Sequence, residues 1–190
     1  MVEVLLFHHA GGLSPGVVAF ADALRDAGHA VRTPDLFGGR TFDDVADGVA
    51  YANVLGDETL AALADEAAAD LPPGIVLAGM SLGCALATQL LLTRPGAVGA
   101  LYLYGAVTPR WWQAEWPPDV RAQAHVARDD PWREPEVEAE FAGLGGTEVH
   151  VYERGGHLFL EPDRRDYAAD SAAAAMERIL EFLTEAERSV

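Results

Sequence analysis

The segment Gly-Met-Ser-Leu-Gly at residues 79–83 constrains the fold of this chain more than any other. It follows an apolar run at residues 75–78, typical of a buried strand, and leads into an apolar run at residues 82–92, typical of a helix. A strand that turns this sharply into a helix forces Ser81 into a strained backbone conformation, and the flanking glycines remove side chains that would collide there. The pattern therefore predicts a tight turn that presents the Ser81 hydroxyl outward.

Apolar runs alternate with helical patterns along the rest of the chain. We predict strands at residues 2–7, 29–33, 75–78, 100–104, 120–127 and 147–152. A helix begins with Ser14 as its cap and Pro15 in its first turn, and others are predicted at residues 82–92, 134–144 and 167–187. Strands that alternate with helices pair in parallel through right-handed crossovers. We expect an α/β fold of three layers in one domain, residues 1–190, without a separate lid domain.

Composition and charge restrict the partners. The chain has 13 basic residues, all of them arginines, and 30 acidic ones, so its net charge is -17. This charge argues against nucleic acid as a binding partner. No apolar run reaches the roughly 20 residues of a membrane helix. Residues 2–7 follow Met1 without a basic region or a cleavage site, so they are interpreted as a strand and not as a signal peptide. We expect a cytoplasmic monomer or homodimer that acts on a small molecule.

A serine hydroxyl becomes a nucleophile only when a base takes its proton, so the turn at Ser81 predicts a histidine downstream and an acid between them. His157 follows the last predicted strand in a loop of small residues. Asp129 and Asp130 end the preceding strand, and either could orient the imidazole. We favour Asp130, because Pro131 biases the residue before it toward extended geometry.

Acyl transfer also needs hydrogen-bond donors for the developing oxyanion. The amide of Leu82 is one candidate, since it lies at the start of a helix. The second is expected from the loop after the first strand, where we favour the amide of Ala10 and keep that of His9 as the alternative.

Two further segments are candidates for substrate contact. Arg40 either binds a substrate carboxylate or pairs with Asp43 or Asp44 at the surface. Trp111, with the nearby Trp112 and Trp116, either lines an apolar acyl pocket or covers the sheet edge.

Other classes of site fit the sequence less well. Cys84 lies one helical turn past Ser81, so its side chain should pack in the core and not act as the nucleophile. No HExxH or CxxC spacing occurs, so no metal or cofactor is expected. A non-catalytic module of the same fold that binds a ligand or protein remains the alternative, but its signature would be a missing Ser, His or Asp, and all three are present.

These motifs resemble the dienelactone hydrolase family of small α/β-hydrolases over nearly the whole chain. Besides residues 79–83, the resemblance includes residues 8–16, 34–42, 123–132 and 152–159. In the family the acidic residue directly precedes a Pro/His-aromatic pair, as Asp130 does here. The best-known members have cysteine at the position of Ser81 and glutamate at that of His9, which makes His9 a candidate for substrate contact. The resemblance implies a serine hydrolase that cleaves a small ester, lactone or thioester through an acyl-enzyme.

Overall fold

One parallel sheet organises residues 1–189, the part of the chain that the computed structural model describes. Its strands are β1 (Glu3–Phe7), β2 (Ala30–Arg32), β3 (Val76–Met80), β4 (Gly99–Leu103), β5 (Arg121–Ala127) and β6 (Thr147–Tyr152). The strand order is β2-β1-β3-β4-β5-β6, and every neighbouring pair is parallel. The predicted α/β architecture is therefore confirmed, and β3, which leads into Ser81, lies in the interior of the sheet.

Helices cover both faces of this sheet. They are α1 (Pro15–Asp26), α2 (Val45–Leu55), α3 (Asp57–Ala68), α4 (Leu82–Thr93), α5 (Pro135–Ala142) and α6 (Ala169–Glu187), with a short 3-10 helix at Pro109–Trp112. One apolar core packs α1 and α6 against the sheet, and a second core packs α3, α4 and α5 against the other face. No separate lid domain is evident within residues 1–189. None of the helices described is long and apolar enough to cross a membrane.

The start of α1 shows how local sequence determines an element. The Ser14 hydroxyl accepts a hydrogen bond from the Val17 amide at 3.3 Å, and Pro15 occupies the first turn, where its missing amide proton has no cost. Phe20 and Leu24 follow at helical spacing and are buried. The helix therefore begins where the sequence predicts it and turns its apolar face to the sheet.

Helices α2 and α3 are a finding that the sequence analysis does not predict. Asp44 caps α2 by accepting from the Ala46 amide at 2.7 Å, and Gly56, at φ 81°, separates the two helices. The residues of α2 are mostly small or polar, so its apolar periodicity is weak, although alanine favours a helix.

Candidate active site

The turn between β3 and α4 has the strained geometry that the glycines at 79 and 83 suggest. Ser81 has φ 49° and ψ -110°, and its amide donates to the Leu103 carbonyl at 2.7 Å. A Cβ atom on Gly79 would overlap the Gly83 backbone, and one on Gly83 would overlap the Phe7 carbonyl. Both glycines are thus required by close backbone contacts, and the strain falls on Ser81 alone.

The structure brings Ser81, His157 and Asp130 into one chain of hydrogen bonds. The distance from His157 Nε2 to Ser81 Oγ is 2.9 Å, and that from His157 Nδ1 to Asp130 Oδ2 is 2.7 Å. The imidazole and the carboxylate are buried, whereas the serine remains partly accessible. This arrangement lets the histidine accept the serine proton while the carboxylate holds the other ring nitrogen.

The structure places Asp130, and not Asp129, against the imidazole. The second oxygen of Asp130 accepts from the Trp132 amide at 2.8 Å, which fixes the carboxylate in the turn after β5. Asp129 is exposed. Gly155 has φ 101°, which glycine adopts readily, and a Cβ atom there would overlap the Phe159 side chain. Glycine at this position therefore allows the chain to turn before His157.

The two candidate oxyanion donors lie at element ends. Leu82 is the first residue of α4, so its amide has no acceptor within the helix. In the loop after β1, the Gly11 amide donates to His9 Nδ1 at 2.8 Å and the Gly12 amide to the His9 carbonyl at 3.0 Å. Among residues 1–189, the Ala10 amide has no hydrogen-bond acceptor. The amide is thus unpaired in this part of the chain, but Ala10 is buried and does not line the cavity at Ser81.

Helix α2 supports this loop from behind. A Cβ atom on Gly48 would overlap the Ala10 carbonyl, so the helix backbone lies directly against the loop. The Phe42 amide also donates to the Gly11 carbonyl at 2.9 Å. The unpredicted helix thus helps to position the candidate oxyanion donor.

His9 does not line the cavity at Ser81, in contrast to its interpretation as a substrate-binding residue. Its ring is buried, Nδ1 accepts from Gly11, and Nε2 lies 2.9 Å from Oε1 of the buried Glu161, although the contact is not aligned as a hydrogen bond. Glu161 also accepts from the hydroxyls of Ser14 at 3.3 Å and Tyr104 at 3.4 Å. His9, Ser14 and Tyr104 thus meet at a carboxylate from the segment after His157.

Tyr104 is a further residue at the site that the sequence analysis does not identify. It follows β4 with φ 69°, and its ring centroid lies 5.8 Å from that of His157. Burial raises the pKa of Tyr104 well above its ordinary value, and the Glu161 carboxylate adds to this effect. The phenol therefore stays protonated and donates to Glu161. Its only sequence signal is its position at a strand end.

A cavity of about 280 Å³ opens beside Ser81. Leu82, Ala85 and Val107 give it an apolar wall, and it is also lined by Trp111, Trp132 and Glu134. Trp111 is therefore at the cavity, as one of the two interpretations expects. No motif in the sequence points to Glu134.

The remaining candidates lie elsewhere. The Arg40 guanidinium lies over the Tyr51 ring, 5.4 Å from its centroid, and does not line the cavity at Ser81. Trp116 is buried against Phe141 and donates to the Val120 carbonyl at 2.9 Å, so it belongs to the core.

Cys84 is fully buried, and its thiol donates to the Gly79 carbonyl at 3.2 Å. Burial raises the pKa of this thiol to about 12, so it is not a thiolate near neutral pH. This agrees with its expected place in the core.

Comparisons with known proteins agree with the fold. A dienelactone hydrolase-like promiscuous phosphotriesterase from metagenomic libraries is 20% identical, with a TM-score of 0.75 over 97% of this chain and 86% of that one. A putative dienelactone hydrolase from Klebsiella pneumoniae is 17% identical, with a TM-score of 0.72 over 94% and 85% of the two chains. A dienelactone hydrolase from Anabaena variabilis is 19% identical, with a TM-score of 0.67 over 97% and 86%. These similarities show the α/β-hydrolase fold.

No curated protein matches the sequence. The family model described as "Dienelactone hydrolase family", however, matches residues 2–187, which is almost the whole chain. The protein is therefore an α/β-hydrolase that belongs to the dienelactone hydrolase family.

Proposed function

We propose that this protein is a serine hydrolase that cleaves a small ester, lactone or thioester through an acyl-enzyme. The observation that carries the proposal is the chain of contacts from Ser81 Oγ through the His157 ring to Asp130, at 2.9 and 2.7 Å. Such a relay is needed to activate a hydroxyl and has no evident use in a module that only binds.

In the first half of the reaction, Ser81 Oγ attacks the acyl carbon while His157 Nε2 takes the hydroxyl proton. Asp130 accepts the Nδ1 proton and stabilises the imidazolium that forms. The amides of Leu82 and Ala10 donate to the oxyanion of the tetrahedral intermediate. When this intermediate collapses, His157 protonates the leaving oxygen or sulfur, and the acyl group remains on Ser81.

In the second half, water attacks the acyl-enzyme with His157 as the base. The free acid leaves, and Ser81 regains its proton from the imidazolium. None of these steps calls for a metal or a cofactor, so EDTA should leave the rate unchanged.

Replacement of the nucleophile tests the proposal directly. Ser81→Ala should lower kcat/KM for a p-nitrophenyl ester by at least about 10³-fold, the scale seen when a triad residue is lost. Its melting temperature should remain near that of the wild type, because the hydroxyl adds little packing. A fluorophosphonate probe, which reacts with activated serines, should label the wild type and not this variant.

The matched control is Cys84→Ala, which should remain labelled. If Ser81→Ala keeps its turnover and Cys84→Ala loses it, the nucleophile is the cysteine. If the wild type is neither labelled nor active on esters, lactones and thioesters, the protein is a non-catalytic binding module. A phosphotriester belongs in the same panel, because the metagenomic neighbour is described as a phosphotriesterase.

A further inference from the structure

We propose that the substrate is an ester whose alcohol part carries an ammonium group, and that Glu134 and Trp132 bind this cation. This inference rests on the proposed function, because it concerns the cavity beside Ser81. Among residues 1–189 and outside the proposed triad, Glu134 is the only residue lining the cavity whose side chain carries a formal charge, and no arginine in this range lines it.

The Glu134 carboxylate is available for a ligand. It is exposed, makes no cap hydrogen bond in α5, and has no ion-pair partner among residues 1–189. The neighbouring Arg133 cannot neutralise it, because its guanidinium is bound to Glu138 through two contacts of 2.9 and 2.5 Å. A substrate carboxylate would therefore meet a negative charge here, whereas an ammonium group would meet a counter-charge.

Trp132 supplies the second half of the cation site. This residue is 50% exposed, and its ring centroid lies 6.1 Å from that of His157. Its amide is held by Asp130. The exposed face of an indole attracts ammonium groups through the negative face of its ring, and this indole is in the cavity that Glu134 also lines.

The position of Trp132 determines which part of the ester carries the cation. The leaving alcohol takes its proton from His157, so the alcohol part must lie on the side of the imidazole. Of the two tryptophans at the cavity, Trp132 is the one whose ring lies beside the imidazole, whereas Trp111 belongs to the separate segment after β4. The cation therefore belongs to the alcohol and not to the acyl group.

The surroundings of Trp132 are negatively charged, as Glu134 is. A second cavity, which Trp132 also lines, includes the carboxylates of Asp43, Asp44, Asp163 and Asp166 and the guanidinium groups of Arg164 and Arg165. Four negative charges therefore face two positive ones, in a chain whose net charge is -17. This field attracts a cationic ester toward the cavity and repels an anionic one.

A pair of isosteric esters tests the inference. Choline butyrate and 3,3-dimethylbutyl butyrate differ by a quaternary nitrogen in place of a carbon. We expect Glu134→Gln to lower the ratio of their kcat/KM values, cationic over neutral, by about tenfold relative to the wild type. Comparison of the same ratio in two proteins cancels the different intrinsic reactivity of the esters. Choline, as an inhibitor of neutral ester hydrolysis, should lose affinity by a similar factor, whereas 3,3-dimethylbutanol should not.

Glu136→Gln is the matched control, since it removes the same charge from the first turn of α5 at an exposed residue that does not line the cavity. It should leave the ratio unchanged. An equal fall in both variants would mean that the field of the whole molecule, and not contact with Glu134, selects the cation, and would overturn the inference. If Glu134→Gln does not alter the ratio found in the wild type, the inference is also overturned. The proposed function stands in that case as long as hydrolysis of the neutral ester depends on Ser81. If the wild type hydrolyses neither ester and resists the fluorophosphonate, the proposed function fails, and the inference fails with it.

Discussion

The two aspartates after β5, Asp129 and Asp130, differ in burial and in contact with His157. Asp130 is buried with one oxygen 2.7 Å from Nδ1, whereas Asp129 is exposed. Asp130→Asn should favour the wrong imidazole tautomer and lower kcat by about 10³ to 10⁴-fold. Asp129→Asn removes only a screened charge and should change kcat by about tenfold or less. The kcat values are compared on one activated ester at one pH, with melting curves to show that both variants fold.

The reverse ranking would transfer the orienting role to Asp129. Two equally mild effects would mean that another acid orients the imidazole. Because both variants lose the same formal charge at adjacent positions, each serves as the control of the other.

The contacts of single side chains could be predicted from the sequence only where the backbone determines them. The proximity of Ser81, Asp130 and His157 follows from the order of strands in a parallel sheet, because each of the three follows the carboxyl end of a strand. Arg40 has a long, flexible side chain, and its position depends on Tyr51 in α2, a helix that the sequence analysis does not predict. His9 and Glu161 are 152 positions apart, so no local spacing in the sequence links them.

At the scale of elements, His8 joins the loops that follow β1 and β2. Its Nδ1 lies 2.7 Å from the His9 carbonyl, and its Nε2 accepts from the Leu36 amide at 3.1 Å. Both contacts suit a neutral ring with its proton on Nδ1. Protonation would set a second N–H against the Leu36 amide, so the positive form is disfavoured by geometry as well as by burial.

Burial lowers the pKa of His8 from 6.5 to about 4 in the folded protein. Below pH 6.5 the unfolded chain therefore binds a proton that the folded chain does not, and the free energy of unfolding falls as the pH falls. The loss begins near pH 6.5, ends near pH 4, and amounts to about 3 kcal/mol. His8→Gln keeps an acceptor for the Leu36 amide but cannot titrate. Its free energy of unfolding, measured with denaturant, should fall less than that of the wild type over this range.

The comparison must use the difference between the two curves, since other groups also titrate. Burial lowers the pKa of His125 well below its ordinary value, so this histidine contributes a loss of the same sign in both proteins. Parallel curves for wild type and His8→Gln would show that His8 does not carry the effect.

Helices with strong apolar periodicity or a clear cap could be predicted from the sequence. Helices that depend on packing against other parts of the chain could not. The apolar face and serine cap of α1 are visible in the sequence, and so is the apolar α4 after the glycine-rich turn. Helix α2 fully buries only Gly48 and Ala52, and its Val54 is exposed. Its large apolar residues therefore do not mark one buried face of a helix. Its close contact with the Ala10 carbonyl depends on glycine at position 48, and a contact between distant backbones has no local signal.

At the scale of the whole molecule, few segments are available to enclose a substrate. The sheet and its helices occupy the core, and the cavity beside Ser81 is bounded mainly by element ends and by the connections after β4 and β5. Its volume of about 280 Å³ lies just below the range of roughly 300–1,000 Å³ for small-molecule sites. The molecule therefore offers a short apolar wall for an acyl group and no long channel at this site.

This shape predicts a preference for short acyl chains. Across p-nitrophenyl esters from acetate to palmitate, kcat/KM should be highest for acetate or butyrate and at least about tenfold lower for decanoate and longer chains. Each added methylene can gain about 0.8 kcal/mol only while it is buried, and a cavity of about 280 Å³ has room for only the first few of them. Rates are measured below the concentration at which each ester aggregates, so that loss of free substrate is not taken for selectivity.

Trp111→Ala is the informative variant, because removing this half-exposed indole from the cavity wall should reduce the gain from acetate to butyrate. A rate that keeps rising up to palmitate would mean that the chain binds a lipid-like substrate on a surface beyond this cavity.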